Sequence, residues 1–218
     1  MTSLPTRDPL HDELLTPQNA ALVLIDYQDA QIYSIPKDPD LYVPNAVALA
    51  KTAKLFDLPI VLSTVQHGNG VNGDTIPQLR EVLDGIPSYD RMSINAWEDE
   101  QFLTAVRATG RKKLIMAALW TEVCLAFPAL DAIREGFEVY AVVDAVAGTT
   151  TEAHEWALRR IVQAGAHPVT WVSVLCELQR DWSRKETAGG MVRIALERGG
   201  AFGTEIAVRL DGSAFPGS

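Results

Sequence analysis

Five short segments of the chain are almost continuously apolar, and longer segments with helical spacing separate them. The apolar runs cover residues 20–26, 59–65, 113–120, 137–145 and 168–175. The segments with helical periodicity cover residues 43–57, 98–110, 122–136 and 151–165, and the last three end in glycine, which commonly terminates a helix. This pattern predicts five strands that alternate with helices.

The predicted strands lack polar alternation, which is typical of strands covered on both faces. Alternation of such strands with helices favours right-handed crossovers and therefore an α/β fold, a three-layer α/β/α sandwich with a mostly parallel central sheet. We expect this domain to cover residues 17–187, after an N-terminal extension at 1–16. The glycine-containing C-terminal tail at 188–218 is expected to be loosely structured and able to reach a neighbouring subunit.

The composition of the chain is acidic, with 28 Asp and Glu against 19 Lys and Arg and a formal net charge of −9. Such a protein repels phosphates at long range, which argues against general affinity for nucleic acid or anionic membranes. The N-terminus lacks the pattern of a signal peptide, and no stretch approaches the roughly 18 apolar residues of a membrane span. The two cysteines form neither a disulfide framework nor a zinc-binding spacing. We therefore expect a cytoplasmic protein with reduced thiols.

Residues that follow the predicted strands are the first candidates for a site, because open parallel sheets bind ligands beyond the carboxyl ends of their strands. Asp26 ends the first apolar run, Cys124 follows the third, and Asp144 lies near the end of the fourth. This topology predicts that the three residues converge. We interpret Asp144 as structural, since it can cap the adjoining loop.

Cys124 stands where a strand turns directly into a helix. Thr121 can act as the N-cap through its hydroxyl, which places Cys124 in the third helical position. The free N–H groups and the positive dipole end of a helix favour the thiolate, which is the reactive form, and can hold an oxyanion. This position suits a nucleophile, but the spacing alone is equally consistent with a small buried core residue.

Asp26 follows the apolar residues "ALVLI" and can be partly desolvated, which would make its carboxylate a proton acceptor. A capping or turn role at the strand end is the alternative. A thiol and a carboxylate at neighbouring strand ends, with no cofactor motif nearby, together favour acyl transfer through a thioester.

The chain resembles the isochorismatase-like cysteine hydrolases from about residue 17 to about residue 182. "ALWTEVC" matches the nucleophile motif of that family from Thr121 onward, and "LIDYQ" supplies its general base, Asp26, together with Gln28. The blocks "DAIREGFEVYAVVDA" and "EAHEWALRRIVQAGA" match as well. "INAWEDEQFLTAVRATGRKKLI", "TEVCLAFPAL" and "CELQRDW" look most similar to the YcaC-related subgroup. The combined pattern is specific, although each piece alone is weak.

Position 91 departs from the family pattern, because most members carry a lysine where this chain has Arg91 in "YDRMSINAW". The resemblance implies that Arg91 is the third catalytic residue. A guanidinium stays protonated, so Arg91 could hold the thiolate and Asp26 electrostatically but could hardly move protons. The alternative is that Arg91 forms a surface salt bridge.

The resemblance also implies a cis peptide bond between Leu119 and Trp120, and an oxyanion hole formed by the backbone N–H groups of Trp120 and Cys124. Family members usually have a small residue at the position of Trp120, so its indole should narrow or roof the pocket, unless it packs outward at a subunit contact. We expect substrate to be lined or oriented by five residues: Gln28, Asn95, Trp97, Trp120 and Thr121. Trp97 could equally belong to the core.

The chain lacks the metal-binding pattern of the nicotinamidases in this family. They carry a D-x-H pair after the second strand, where this chain reads "STVQHGNGVNGD" and has only His67. We therefore expect no metal, and no cofactor, since dinucleotide and phosphate-loop motifs are absent. His154 and Cys176 are interpreted as structural, the latter as an inert buried thiol.

These observations favour a metal-free cysteine hydrolase that cleaves a small amide or related C–N bond through a thioester. Two alternatives stay open: a catalytically inactive member that binds a small molecule, and a vinyl-ether hydrolase of isochorismatase type. The cysteine in "TEVC" weighs against the second, because those enzymes generally lack it. By resemblance we expect a homo-oligomer, either a dimer, a tetramer or an octamer. The expected ligand is a small-molecule substrate.

Overall fold

A computed structural model describes residues 8–211 of the chain. Its centre is one sheet whose six strands all pair in parallel, in the order β3-β2-β1-β4-β5-β6. The strands are β1 (Ala20–Ile25), β2 (Ile60–Val65), β3 (Ser88–Arg91), β4 (Lys113–Ala118), β5 (Glu138–Val142) and β6 (His167–Val169). The predicted α/β fold with a parallel sheet is confirmed, although β3 was not predicted.

Helices flank this sheet and account for most of the remaining chain. Within residues 8–211 they are α1 (Asp29–Tyr33), α2 (Val43–Leu55), α3 (Pro77–Val82), α4 (Glu100–Ala108), α5 (Ala126–Arg134), α6 (Thr151–Gln163), α7 (Trp171–Gln179), α8 (Lys185–Arg198) and α9 (Gly200–Asp211). Short 3₁₀ turns cover Pro39–Leu41 and Ala96–Glu98, and a π-helical turn covers Thr121–Leu125. Helix α2 packs against α3, α7 and α8, whereas α5 packs against α6 and β5.

The two central strands, β1 and β4, are buried along their whole length. They lie side by side, with Ile25 opposite Ala118. The chain runs outward from β1 through β2 to β3, and then returns to β4 and runs outward to β6 on the other side. The strand order therefore reverses between β1 and β4, which is where open α/β sheets place a binding crevice.

The prediction of a strand over 168–175 is wrong, because β6 ends at Val169 and α7 begins at Trp171. The hydroxyl of Thr170 accepts from the backbone N–H of Ser173, and the carboxylate of Asp144 accepts from that of Trp171. These bonds cap a helix start. The buried residues Trp171, Val174, Leu175 and Leu178 follow helical spacing, which the apolar run alone did not reveal.

The expectation of a loose C-terminal tail is also wrong for residues up to 211, since α8 and α9 form a helical hairpin there. Two of its glycines serve close packing. A Cβ at Gly203 would overlap the carbonyl oxygen of Ala195, and one at Gly190 would overlap the side chain of Leu55. Residues 212–218 of the predicted tail lie outside the described residues, and the division into 1–16, 17–187 and 188–218 stays a prediction.

Candidate active site

Asp26 lies at the switch point of the sheet, directly after β1, and its side chain is fully buried. Its backbone N–H donates to the carbonyl of Ser63 on β2, so the sheet ladder continues to this residue. The residue has a φ of 59°. This left-handed conformation is uncommon for residues other than glycine, but Asp and Asn tolerate it better than most. It turns the chain out of the sheet at the carboxylate.

Arg91 is the last residue of β3 and forms a bidentate ion pair with Asp26. Nη1 donates to Oδ1 at 2.7 Å and Nη2 donates to Oδ2 at 2.7 Å. Both side chains are 0% exposed, so the alternative of a surface salt bridge is wrong. Burial lowers the pKa of Arg91, but the hydrogen bonds and charge of Asp26 outweigh it and raise that pKa above its ordinary value. The guanidinium is therefore a permanent cation in this site.

Every N–H of the two terminal nitrogens of Arg91 has an acceptor. Besides Asp26, Nη1 donates to Oγ of Ser63 and to the carbonyl of Thr64, both at 3.1 Å. Nη2 also donates to the carbonyl of Ile94 at 3.3 Å. The two terminal nitrogens are thus paired within the protein and act on the site through their charge, whereas the buried Nε of Arg91 has no hydrogen-bond partner among the described residues.

Cys124 lies within the π-helical turn, and 7% of its surface is exposed to solvent. The carboxylate of Asp26 and the backbone N–H of Trp120 both act on the pKa of its thiol, which places both groups beside the sulfur. The structure therefore brings Asp26 and Cys124 together as the topology predicted, and it places Arg91 in the same cluster as the resemblance implied.

The predicted effect of the turn's backbone is present but is outweighed: the N–H of Trp120 lowers the pKa of the Cys124 thiol, whereas burial raises it more. Burial raises the pKa of the Cys124 thiol well above its usual range, and the charge and hydrogen bond of Asp26 raise it further. The charge of Arg91 and the N–H of Trp120 oppose this effect but are outweighed. A raised thiol pKa favours the protonated sulfur, and the carboxylate of Asp26 beside it is suited to removal of the proton during attack.

The peptide bond between Leu119 and Trp120 is cis, as the resemblance implied. Trp120 rather than Thr121 is the N-cap residue of the following turn, and it makes no side-chain cap hydrogen bond. The hydroxyl of Thr121 instead lies 2.8 Å from Nδ1 of His154, and its backbone N–H donates to the carbonyl of Ala147. The N-cap assignment of Thr121 is thus wrong, and the oxyanion role of the Trp120 and Cys124 N–H groups stays a prediction.

The indole of Trp120 is held against α1 and the residue that follows it. Its Nε1 donates to Oγ of Ser34 at 2.7 Å and to the carbonyl of Gln31 at 3.3 Å. The side chain is half-buried. These bonds fix the indole against α1, and its expected role in narrowing the pocket stays a prediction.

Gln28 is fully buried and ties the loop after β2 to the end of β1. Its Oε1 accepts from the backbone N–H of Val65, while its Nε2 donates to the carbonyls of Val65 and Gly73. All these partners are backbone groups, so Gln28 supports the shape of the loop beside Asp26. Direct contact of Gln28 with substrate stays a prediction.

The hydrogen bonds of Asn95 and Trp97 lead away from Asp26. The Asn95 amide donates to Asp131, and its oxygen accepts from the backbone N–H of Trp97. The Trp97 indole donates to Glu135, and its ring packs edge-on against two phenylalanine rings, those of Phe102 and Phe137. These contacts place Trp97 in the core between helices, which was the alternative interpretation of that residue.

Ser63 and Thr64 were not predicted as site residues. Both are buried polar residues near the end of β2, in the otherwise apolar run "PIVLSTV". A hydroxyl or carbonyl in that position needs a polar partner, and this was the available signal. Their partner could not be named from the sequence, because β3 and Arg91 were not predicted to lie beside them.

A cavity of about 500 Å³ lies away from this cluster, between α1, α2 and α8, and none of Asp26, Arg91 and Cys124 lines it.

Within residues 8–211 no group of three or more His, Cys, Asp or Glu side chains is placed to hold a metal ion. The helices in that part of the chain include none long and apolar enough to cross a membrane.

Comparison with known proteins matches most of the chain to one domain family. The sequence model of the family described as the isochorismatase domain matches residues 20–173 of the chain. A probable hydrolase, YcaC of Escherichia coli K12, is 46% identical over 172 residues, which cover 77% of this chain and 81% of that protein.

Solved structures of two YcaC proteins are similar over almost their whole length. YcaC from Pseudomonas aeruginosa, with hexane-2,5-diol and covalent acrylamide, is 36% identical, with a TM-score of 0.85 over 92% of this chain and 98% of that one. The Escherichia coli YcaC gene product, described as an octameric hydrolase of unknown specificity, is 37% identical, with a TM-score of 0.84 and the same coverage.

Proposed function

The chain belongs to the isochorismatase family of hydrolases, and we propose that it cleaves the C–N bond of a small amide or related carbonyl compound through a thioester on Cys124. The observation that carries this proposal is the buried cluster in which Arg91 holds Asp26 beside the thiol of Cys124. The covalent acrylamide of the Pseudomonas aeruginosa relative, a small amide, is consistent with a substrate of this size.

In the first half of the reaction, Asp26 takes the proton of the Cys124 thiol while the sulfur attacks the carbonyl carbon. The electron pair of the carbonyl moves to its oxygen, which the backbone N–H groups of Trp120 and Cys124 stabilise. When this intermediate collapses, the C–N bond breaks and the amine leaves with the proton held by Asp26. The product of these steps is a thioester on Cys124.

In the second half, water attacks the thioester and gives one proton to Asp26. The C–S bond then breaks, the acid leaves, and the proton returns to the sulfur. The sum is amide plus water giving acid plus amine, with no metal needed in the scheme. Arg91 keeps its proton throughout and stabilises negative charge on Asp26 and on the sulfur.

The test is to incubate the protein with a panel of small amides and to measure hydrolysis as the amount of ammonia or amine released. Cys124→Ala is expected to abolish turnover, because no other group replaces the sulfur. Cys176→Ala is the matched control and should leave activity nearly unchanged, since Cys176 lies on α7 and burial raises its thiol pKa. Equal loss in both variants, or full activity of Cys124→Ala, would contradict the proposal.

We further propose that the protein is a homo-oligomer, by similarity to the octameric relative. Several large apolar side chains after β1, β2 and β3 are exposed, among them Tyr33, Val71 and Ile94. Exposed apolar surface of this kind is typical of interfaces. Sedimentation velocity should show a species larger than one chain, and a monomer at micromolar concentration would contradict the proposal.

A further inference from the structure

Ser63 is a fully buried hydroxyl in β2, opposite Ile25 of β1, and it touches the guanidinium of Arg91. We propose that Ser63 is a positioning residue that holds Arg91 against Asp26 and makes arginine, rather than lysine, the cation suited to this site. This inference rests on the proposed function, because it concerns how the ion pair supports Cys124.

The hydroxyl of Ser63 has one proton, and that proton is already used. It is donated to the carbonyl of Tyr89 on β3 at 2.8 Å. The Ser63 oxygen can therefore only accept on the side that faces Arg91, where Nη1 lies 3.1 Å away. Because Tyr89 lies on the same strand as Arg91, this single hydroxyl links β2 to β3 at the site.

The surroundings of Arg91 match the number and directions of its terminal hydrogens. One hydrogen on each terminal nitrogen points to a carboxylate oxygen of Asp26. The second hydrogen of Nη1 is shared between Ser63 and the carbonyl of Thr64, and that of Nη2 reaches the carbonyl of Ile94. A lysine ammonium has three protons on one nitrogen and cannot reproduce two parallel bonds to a carboxylate together with these three acceptors.

Loss of the Ser63 hydroxyl should loosen the guanidinium rather than remove its charge. The second hydrogen on Nη1 would keep only the carbonyl of Thr64, so β2 would hold the guanidinium through one acceptor instead of two. The positive charge would then stabilise Asp26 and the developing thiolate less well. This effect of the Ser63 hydroxyl on the rate requires arginine at position 91. It can therefore be separated from a general role of Ser63 in folding, which would not depend on that arginine.

The experiment is a double-mutant cycle with Ser63→Ala, Arg91→Lys and the double variant, all carrying Cys176→Ala so that Cys124 is the only cysteine. Two quantities are measured: turnover of the most reactive amide and the rate at which acrylamide alkylates Cys124, followed by intact mass. With Arg91 present, Ser63→Ala is expected to slow both by about tenfold, as for loss of one hydrogen bond to a charged group. With lysine at position 91, the same change should cost less than about twofold.

A cost of Ser63→Ala that is equal in both backgrounds, or absent with Arg91 present, would overturn the inference. Ser63→Thr and Ser63→Val form a second pair of nearly equal size, and only the hydroxyl variant should keep the rate, even if Ser63→Ala folds poorly. Thr52→Val is the control, because it removes a buried hydroxyl that bonds within α2 to Ala48. If no amide is hydrolysed, the proposed function fails, and the alkylation rates still test Ser63.

Discussion

Removal of the carboxylate charge of Asp26 is the most informative change to the buried ion pair. Asp26→Asn keeps the size of the side chain but leaves the guanidinium of Arg91 in the interior without a counter-charge. An arginine cannot relieve this by losing its proton. The energetic cost of the unpaired charge must therefore appear in the free energy of unfolding.

The size of that cost can be worked out from the contacts of Arg91. Breaking a fully buried ion pair by removal of one partner typically costs about 3–5 kcal/mol. Ser63, Thr64 and Ile94 continue to accept hydrogen bonds from Arg91, and the amide oxygen at position 26 can accept one more. We therefore expect the lower end, about 3 kcal/mol, which lowers the melting temperature of a chain of this length by about 6–12 °C.

Urea and thermal unfolding at one fixed protomer concentration measure this cost. The double variant Asp26→Asn/Arg91→Gln removes both charges and should recover to within about 1 kcal/mol of the parent protein, yet remain inactive. Asp74→Asn is the matched control, since Asp74 forms a partly exposed pair with Arg80 and should cost less than about 1 kcal/mol.

The reasoning is refuted if Asp26→Asn is as stable as the parent protein, because a desolvated, unpaired guanidinium cannot be free of cost. It is also refuted if the double variant is as unstable as the single one. In that case the loss would come from packing or from the turn at Asp26 and not from the unpaired charge.

Two further predictions concern the nucleophile and its neighbour. Burial raises the pKa of the Cys124 thiol. In the Cys176→Ala variant, its rate of reaction with methyl methanethiosulfonate should therefore rise about tenfold per pH unit through pH 9. A rate that becomes constant below pH 8 would show a thiolate at rest. Trp120→Ala should raise kcat/KM for bulky amides by about tenfold relative to small ones. Trp120→Phe is the control and should keep the preference of the parent protein. An equal loss of activity on all amides would mean that the indole only supports the fold.

The apolar pattern predicted the central sheet because β1 and β4 are buried along their whole length and read as continuous apolar runs. The meeting of Asp26 and Cys124 followed from the same pattern, since Asp26 directly follows β1 and Cys124 lies in the turn that comes after β4. Topology is sufficient to place such residues together, although it does not specify their hydrogen bonds.

What the sequence did not reveal depended on tertiary contacts. Strand β3 has four residues, "SYDR", and only the last of them is buried, so it carries no apolar signal. The pairing of Arg91 with Asp26 was implied by the resemblance alone, and its contacts with Ser63, Thr64 and Ile94 were not predicted. The rise in the pKa of the Cys124 thiol was not predicted because the helix-start argument is local, whereas burial depends on the whole fold. Helix α7 was mistaken for a strand because five mostly apolar residues read alike in both structures without the cap at Thr170.

The most direct test of the central claim is to trap the thioester. The protein is mixed with its most reactive amide, quenched in acid during turnover and examined by intact mass and peptide mapping. We predict a mass increase equal to the acyl group, without the amine, on the peptide that contains Cys124, and none in Cys124→Ala. Steady release of amine with no acyl group on Cys124, or acylation of Cys176 instead, would contradict the account.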